Sequence, residues 1–146
     1  MKITVAWVGK TKEPAIQALT DEYLKRLSHY AEAQGVVVKD EASLLKLAGR
    51  DGKSKKSTLV LLDSSGKQLS SEDLAEFLGD LQDRSVPVIF AVGPANGFGG
   101  EARQSASSVL SLGKMTLAHE LARVVLLEQL YRAFTILKGH PYHLGH

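Results

Sequence analysis

Two short runs in this chain, Thr58-Leu-Val-Leu-Leu-Asp63 and Val86-Pro-Val-Ile-Phe-Ala-Val92, are apolar at consecutive positions rather than at every second one. A strand with one wet face alternates. A strand that is apolar throughout is covered on both faces, as in a parallel sheet between two layers of helices. The rest of the chain supplies the helices. Lys2–Val8 alternates and is β-branched, a first strand. Pro14 suits the first turn of a helix, and Ile16, Leu19, Tyr23, Leu27 and Tyr30 recur at helical spacing until Gly35 breaks the pattern. A second strand follows at 36–38 and a short helix at 41–47. Ser70 stands three residues before Asp73, an approximate capping box, and Leu74, Phe77, Leu78 and Leu81 form the apolar face behind it. Beyond the second apolar run come a glycine-rich loop at 93–100, a short helix at 101–107, an extended piece at 109–112, an approach at 114–117 and a final helix. This alternation predicts an α/β domain with a mostly parallel sheet and helices on both faces.

At 146 residues the chain reads as one domain, 1–146, with 44% hydrophobic and 23% charged residues, which argues against disorder. The absence of cysteine excludes disulfides and thiolate metal sites. The start, Met1-Lys-Ile-Thr-Val-Ala-Trp-Val, lacks the long apolar stretch and cleavage site of a signal peptide, and nothing approaches a membrane span. A cytoplasmic protein is expected. A net charge of +2 permits contact with nucleic acid without demanding it. The polar loop 49–56 holds Arg50, Lys53, Lys55 and Lys56. It reads as a solvated loop, because no aromatic residues interleave the cations to mark a phosphate-binding surface.

Three segments carry chemistry. The loop 93–100 places four glycines in eight residues directly after a buried strand, where backbone approaches a ligand closely, and points to a nucleotide-type ligand. Its Gly97-Phe-Gly-Gly-Glu-Ala102 matches G-x-G-x-x-A, but lies several residues past the strand and late in the chain, so a dinucleotide fold is the minority reading. A P-loop fails outright, with Gln68 after Gly66-Lys67 and Leu61 where the first glycine belongs. Asp63, at a strand end, is placed to cap a turn or to line a ligand pocket. The final helix is apolar around most of its circumference (Leu121, Val124, Val125, Leu126, Leu127, Leu130, Tyr131 and Phe134), so it needs cover on more than one side. A two-fold partner subunit would supply that cover. The same helix carries Glu128 and Arg132 in the favourable order for an i,i+4 ion pair. It then gives way to Gly139-His-Pro-Tyr-His143, a terminus able to move protons. His140, His143 and His146 form H-x-x-H-x-x-H, but Gly139 and Pro141 preclude a rigid helical ligand set. No metal is expected, and proton handling or substrate contact is the preferred role.

The blocks Glu128-x-x-Tyr-Arg132 and Gly139-His-Pro-Tyr-His143, with the upstream loop, residues 112–123, Lys2-Ile-Thr-Val-Ala-Trp-Val-Gly-Lys10 and Tyr23-Leu-Lys-Arg26, resemble one family. It is the pseudouridine N3-methyltransferases of large-subunit (23S) ribosomal RNA, a minimal branch of the SPOUT superfamily. The resemblance covers nearly the whole chain. It implies a sheet threaded into a trefoil knot near the C-terminus, which general rules of chain topology would not suggest. It also implies S-adenosylmethionine bent within the knot and held largely by backbone at Leu62, Asp63, Gly93, Gly113, Lys114, Met115, Thr116, Leu117 and Ala118. A homodimer is implied as well, with each site finished by the partner's C-terminal region, and a substrate within the ribosome. On this reading His143 is the base for an imide proton, with Glu128 as competitor. Arg132 holds a phosphate or developing charge, and Tyr142 stacks on the base. The chain departs from the family pattern at Val92, where a glycine is usual, and at Asn96, near a usual acid. Two other classes stand beside this one: a nicotinamide- or other nucleotide-dependent oxidoreductase using the Gly97 motif, and a non-enzymatic RNA- or ribosome-binding protein.

Overall fold

The protein is described here by a computed structural model covering residues 1–53 and 56–144. The strands are β1 (Lys2–Val8), β2 (Glu32–Val38), β3 (Thr58–Gln68), β4 (Val88–Val92) and β5 (Ser108–Ser111). The helices are α1 (Pro14–Leu27), α2 (Glu41–Leu47), α3 (Ser71–Asp83), α4 (Gly100–Ser105) and α5 (His119–Leu137). The strands form one sheet in the order β2-β1-β4-β3-β5, with every neighbouring pair parallel.

Strand periodicity sorts the core into two halves. Ile3, Val5, Trp7, Val60 and Phe90 point to the face covered by α1, α3 and α5. Ala6, Leu59, Leu61, Ile89 and Ala91 point to the face covered by α2 and α4. The consecutive apolar runs are thus buried on both sides, as their composition demands. Connections that step toward the β2 edge run through α1 and α3, and those that step toward the β5 edge run through α2 and α4. A single crossover hand puts the two sets on opposite faces. Phe90 and Phe134 are fully buried, each contributing on the order of 1.5–3 kcal/mol by leaving water.

Local signals set several boundaries well. Asp40 caps α2 by accepting from the Ser43 amide, and Ser70 and Asp73 form a reciprocal capping box on α3. Others fall elsewhere. The first helix stops at Leu27, and Tyr30 lies in the connection, its ring stacked on Phe134 at 5.8 Å. Gly35 does not break a helix but sits inside β2, which starts at Glu32. A Cβ there would meet the Trp7 ring at 2.7 Å, so glycine is required by packing across the sheet. The second apolar run becomes a strand only from Val88, the short helix covers Gly100–Ser105, and the extended piece is Ser108–Ser111.

The largest departure is in β3, which continues to Gln68 rather than turning after Asp63. Leu110 of β5 is in register first with Leu62 and again with Lys67, so residues 63–66 bulge out of the ladder. Gly66 closes that bulge against β5. A Cβ on it would lie 2.7 Å from the carbonyl carbons of Val109 and Leu110 and from the Val109 oxygen. Only a residue without a side chain lets the two backbones touch there.

The polar loop is also better anchored than its composition indicates. Arg50 donates to the carbonyls of Ala48, Ser57 and Ser105 and stands 3.4 Å from the Ser107 hydroxyl, joining the start of β3 to the start of β5. It is a structural tie, not a free cation. Lys55 of the same loop lies outside the described residues.

Candidate functional site

Parallel strands share one carboxyl edge, and ligands of open α/β sheets collect there. A cavity of about 450 Å³ opens at this edge. Its walls are the point where β3 bulges (Leu62, Asp63, Ser64), the last residue of β4 with the loop after it (Val92, Gly93, Pro94, Ala95, Gly97), the segment from Ser111 to α5, and His119 and Ala122 in the first turns of α5. Eight of the nine residues expected to hold a cofactor line it: Leu62, Asp63, Gly93, Gly113, Met115, Thr116, Leu117 and Ala118. Lys114 does not, and is exposed. Of the two departures from the family pattern, Val92 lines the cavity, whereas Asn96 is exposed and outside its walls.

Asp63 both caps a turn and lines the cavity. Its Oδ1 accepts from the Ser65 amide at 2.9 Å and hydroxyl at 2.6 Å, and its Oδ2 accepts from Arg103 Nη2 at 2.5 Å. The Ser65 hydroxyl, the Ser65 amide and the Arg103 guanidinium together hold the carboxyl below the usual aspartate range, against the opposing effect of burial. Both carboxylate oxygens are therefore engaged by the protein itself.

The four residues expected to do chemistry meet in a second cluster. Glu128 Oε1 accepts from Arg132 Nε at 3.0 Å, from Nη2 at 2.6 Å and from the Tyr142 hydroxyl at 3.1 Å. Arg132 Nη1 lies 3.0 Å from His143 Nδ1, and its guanidinium stands 4.9 Å from the centre of the Tyr142 ring. His143 Nε2 lies 2.6 Å from Glu72 Oε1 on α3. A guanidinium can only donate, so Nδ1 is the accepting nitrogen and Nε2 carries the proton given to Glu72. That hydrogen bond is the leading cause of the lowered Glu72 carboxyl. Burial, reinforced by the Glu128 charge, pushes the Tyr142 phenol up to about 12. His140 is turned elsewhere and accepts from the Tyr142 amide. His146 lies outside the described residues, and among those described no cluster of three metal-ligating side chains forms.

None of the four lines the cavity of its own chain. Ala122, on the cavity wall, and Arg132, in the cluster, are ten residues apart on α5, about 15 Å along the axis. Uncovered apolar surface lies in the first turn of α5 and in the segment leading into it. Leu121 is 50% exposed, Met115 on the cavity rim 84% and Leu117 38%.

Sequence reasoning missed Glu72 and Arg103. Glu72 reads as one of two acids in the first turn of a capped helix, and Arg103 as a surface cation on a short helix. Both meet their partners across large sequence separations, 71 residues for Glu72 with His143 and 40 for Arg103 with Asp63. A further cation, Arg123, is fully buried on α5, 3.9 Å above the centre of the Trp7 ring, with Nη1 donating to the Thr11 hydroxyl at 2.7 Å.

The fold is similar to that of two solved proteins. The SpoU methyltransferase AviRb from Streptomyces viridochromogenes, solved in complex with the cofactor AdoMet, superposes with a TM-score of 0.53 at 13% identity, covering 90% of this chain and 57% of its own. A probable methylase family protein from Haemophilus influenzae gives 0.60 at 14% identity, covering 96% and 69%. At these identities the two superpositions show a shared fold. The family described as "Predicted SPOUT methyltransferase" matches residues 1–143. Curated relatives agree over their full length. A "Ribosomal RNA large subunit methyltransferase H" from Koribacter versatilis is 59% identical, covering 100% of both chains, and one from Geobacter metallireducens is 41% identical, covering 98% of this chain and 99% of its own. The chain belongs to the SPOUT methyltransferase family.

Proposed function

We propose that this protein, acting as one domain over residues 1–146, transfers a methyl group from S-adenosylmethionine to N3 of a pseudouridine in large-subunit (23S) ribosomal RNA. It works as a cytoplasmic homodimer on the assembled ribosome. The observation that carries the reading is the convergence of eight of the nine expected cofactor residues on one cavity of about 450 Å³. That volume suits a nucleoside with an amino-acid tail, and the mixture of apolar side chains with glycine backbone suits an adenosine held by main-chain groups. The names of the full-length relatives support ribosomal RNA of the large subunit as substrate.

The bound donor supplies an electrophilic methyl on a sulfonium, which needs no metal. The chain must supply a nucleophile by removing an imide proton. The imide edge of a uracil presents a donor N3–H flanked by carbonyl acceptors. Side by side, Arg132 Nη1 and His143 Nδ1 present a donor and an acceptor 3.0 Å apart. An entering base replaces their mutual contact with two of its own: N3–H to Nδ1, and Nη1–H to the adjacent carbonyl. The proton passes from N3 to Nδ1. The negative charge left on the imide is stabilised by Arg132. Glu72 fixes the ring through Nε2–H and offsets the imidazolium charge. Glu128 holds Arg132 in place, with its Oε1 already accepting three contacts, so His143 is the better base. Tyr142 stays protonated, and its ring is offered for stacking.

The separation of about 15 Å along α5 between cavity and cluster supports completion of each site by a second copy. The exposed Leu121, Met115 and Leu117 offer the apolar surface such a copy would cover. The close passage of Gly66 against Val109 and Leu110 is in keeping with the knot that the family resemblance implies.

The test is a titration of S-adenosylhomocysteine, followed by methyl transfer to purified ribosomes that carry pseudouridine. Removing residues 139–146 should abolish transfer while leaving most of the cofactor affinity. Failure of the intact protein to bind the cofactor would remove the enzymatic reading. Full-rate transfer by the truncated protein would remove the role given to the tail.

A further inference from the structure

The cavity walls come from separate strands, and the wall formed by residues 93–97 is a loop with little regular structure. Something must hold it at a fixed distance from the β3 bulge opposite. We propose that Arg103 is a positioning residue that latches these two walls together and so sets the affinity for the nucleoside cofactor. This inference rests on the assignment of the cavity to S-adenosylmethionine.

Arg103 does not line the cavity. It stands on α4, directly behind the loop, and its planar fork reaches three acceptors on two elements. Nε donates to the Phe98 carbonyl at 3.3 Å, Nη1 to the Ser65 hydroxyl at 3.1 Å and Nη2 to Asp63 Oδ2 at 2.5 Å. The first acceptor belongs to the loop after β4 and the other two to the β3 bulge. The carboxylate side of the pair is sheltered, with 12% of the Asp63 side chain exposed against 39% for Arg103. An isolated exposed pair contributes little, but a guanidinium that satisfies several fixed acceptors at once is geometrically committed. The loop is pinned again one residue further on, where Glu41 of α2 accepts from the Gly99 amide at 2.7 Å. Helix α4 itself spans only Gly100–Ser105 and has no side-chain cap, so its position depends on such ties. The loop tip completes the arrangement. A Cβ on Gly97 would stand 3.7 Å from Asp63 Oδ2, so the carboxylate gripped by Arg103 is the surface against which the tip rests.

Releasing the latch frees the loop before the cofactor binds, and binding must then order it again. The effect falls on affinity and not on the methyl-transfer step, whose groups lie in the other cluster.

The experiment measures S-adenosylhomocysteine binding by calorimetry for the wild type, Arg103→Ala and Arg103→Lys. The exposed Arg84→Ala at the end of α3 serves as the charge-deletion control. Amide exchange over residues 93–99 is followed in the ligand-free proteins. Arg103→Ala should bind roughly tenfold more weakly, as for one lost charge-assisted contact. Its kcat at saturating cofactor should stay within about twofold of the wild type. Exchange should quicken over 93–99 and not in the β1 or β4 core. Arg103→Lys should recover part of the affinity, and Arg84→Ala should match the wild type. Unchanged affinity in Arg103→Ala, or lost affinity accompanied by faster exchange throughout the sheet, overturns the proposal. Should Arg103→Ala not fold, Ser65→Ala removes one of the three contacts, together with the serine hydroxyl's own bond to Asp63, and is read by the same criteria. A wild type that binds no S-adenosylhomocysteine fails at the cavity assignment and takes the latch with it. A wild type that binds while the variants bind equally well fails at the latch alone.

Discussion

Replacing Gly66 with alanine places a methyl carbon 2.7 Å from the main-chain carbonyl carbons of Val109 and Leu110 and from the Val109 oxygen. Ordinary carbon contacts begin at about 3.5 Å, so β3 and β5 must separate locally by the better part of an ångström. No rotamer change relieves the overlap, because every obstructing atom is backbone held in the β3–β5 ladder. Overpacking of this kind costs about 1–3 kcal/mol. The unfolded chain loses freedom when glycine becomes alanine, which offsets roughly 0.4–1 kcal/mol. A net loss of about 1–2 kcal/mol follows, and with roughly 2–4 °C per kcal/mol for a domain of this size, Tm falls by about 2–8 °C. The strain does not stay local. Leu110 leads directly into Ser111 and the cavity wall, so cofactor affinity should fall with stability. Urea denaturation of Gly66→Ala gives the stability change at constant m-value, and calorimetry gives the affinity. A variant as stable as the wild type, with unaltered cofactor binding, would show that the two backbones do not approach this closely.

Further expectations concern charge and site assembly. The Asp63 carboxyl is depressed in the folded state, so its contribution is present above the unfolded value of about 3.9 and is lost as pH falls through the folded one. Asp63→Asn should therefore lower Tm at neutral pH and converge with the wild type in acid, and a gap that persists at the acid end would contradict this. The Tyr142 phenol, pushed up to about 12, contributes stability that is intact below the unfolded value of about 10 and fades as pH rises through 12. Tyr142→Phe should lose about 1 kcal/mol with its hydroxyl contact to Glu128 and should flatten the alkaline end of the stability curve. An alkaline limb of the rate profile near pH 10 that vanishes in this variant would instead make the phenol a participant in the reaction. Mixing a tail-truncated variant with a cavity-blocked Gly93→Trp variant should restore methyl transfer through mixed dimers, and a mixture as inactive as its parts would argue for sites built within single chains. Finally, Arg123 is buried, its guanidinium lowered by desolvation, with no carboxylate among the described residues in direct contact. Arg123→Met should thus change stability by less than about 1.5 kcal/mol, whereas Arg123→Ala, which leaves a cavity beside Trp7, should cost more than about 2 kcal/mol in the same denaturation assay.

Several interactions that close within a turn or two of chain were legible in the amino-acid order. The consecutive apolar runs marked strands covered on both faces, the helix at 41–47 and the box at Ser70 and Asp73 fell where expected, and Glu128 found Arg132 one turn away. The glycine loop pointed to a ligand at the strand ends for the same local reason. The contacts that position the candidate site are of another kind. Gly35 is glycine because a tryptophan ring from the neighbouring strand occupies its side-chain space, and β3 runs on to Gln68 because β5 pairs with it a second time. His143 takes its orientation from Glu72, and Asp63 is gripped by Arg103. Such partners are chosen by how the crossovers fold the sheet, since periodicity reports which face of an element is apolar but not which residue of a distant element will stand opposite. The placement of the cavity and of the cluster of Glu128, Arg132, Tyr142 and His143 at different levels of one helix is likewise a property of packing, and it is the ground on which completion by a second copy is proposed.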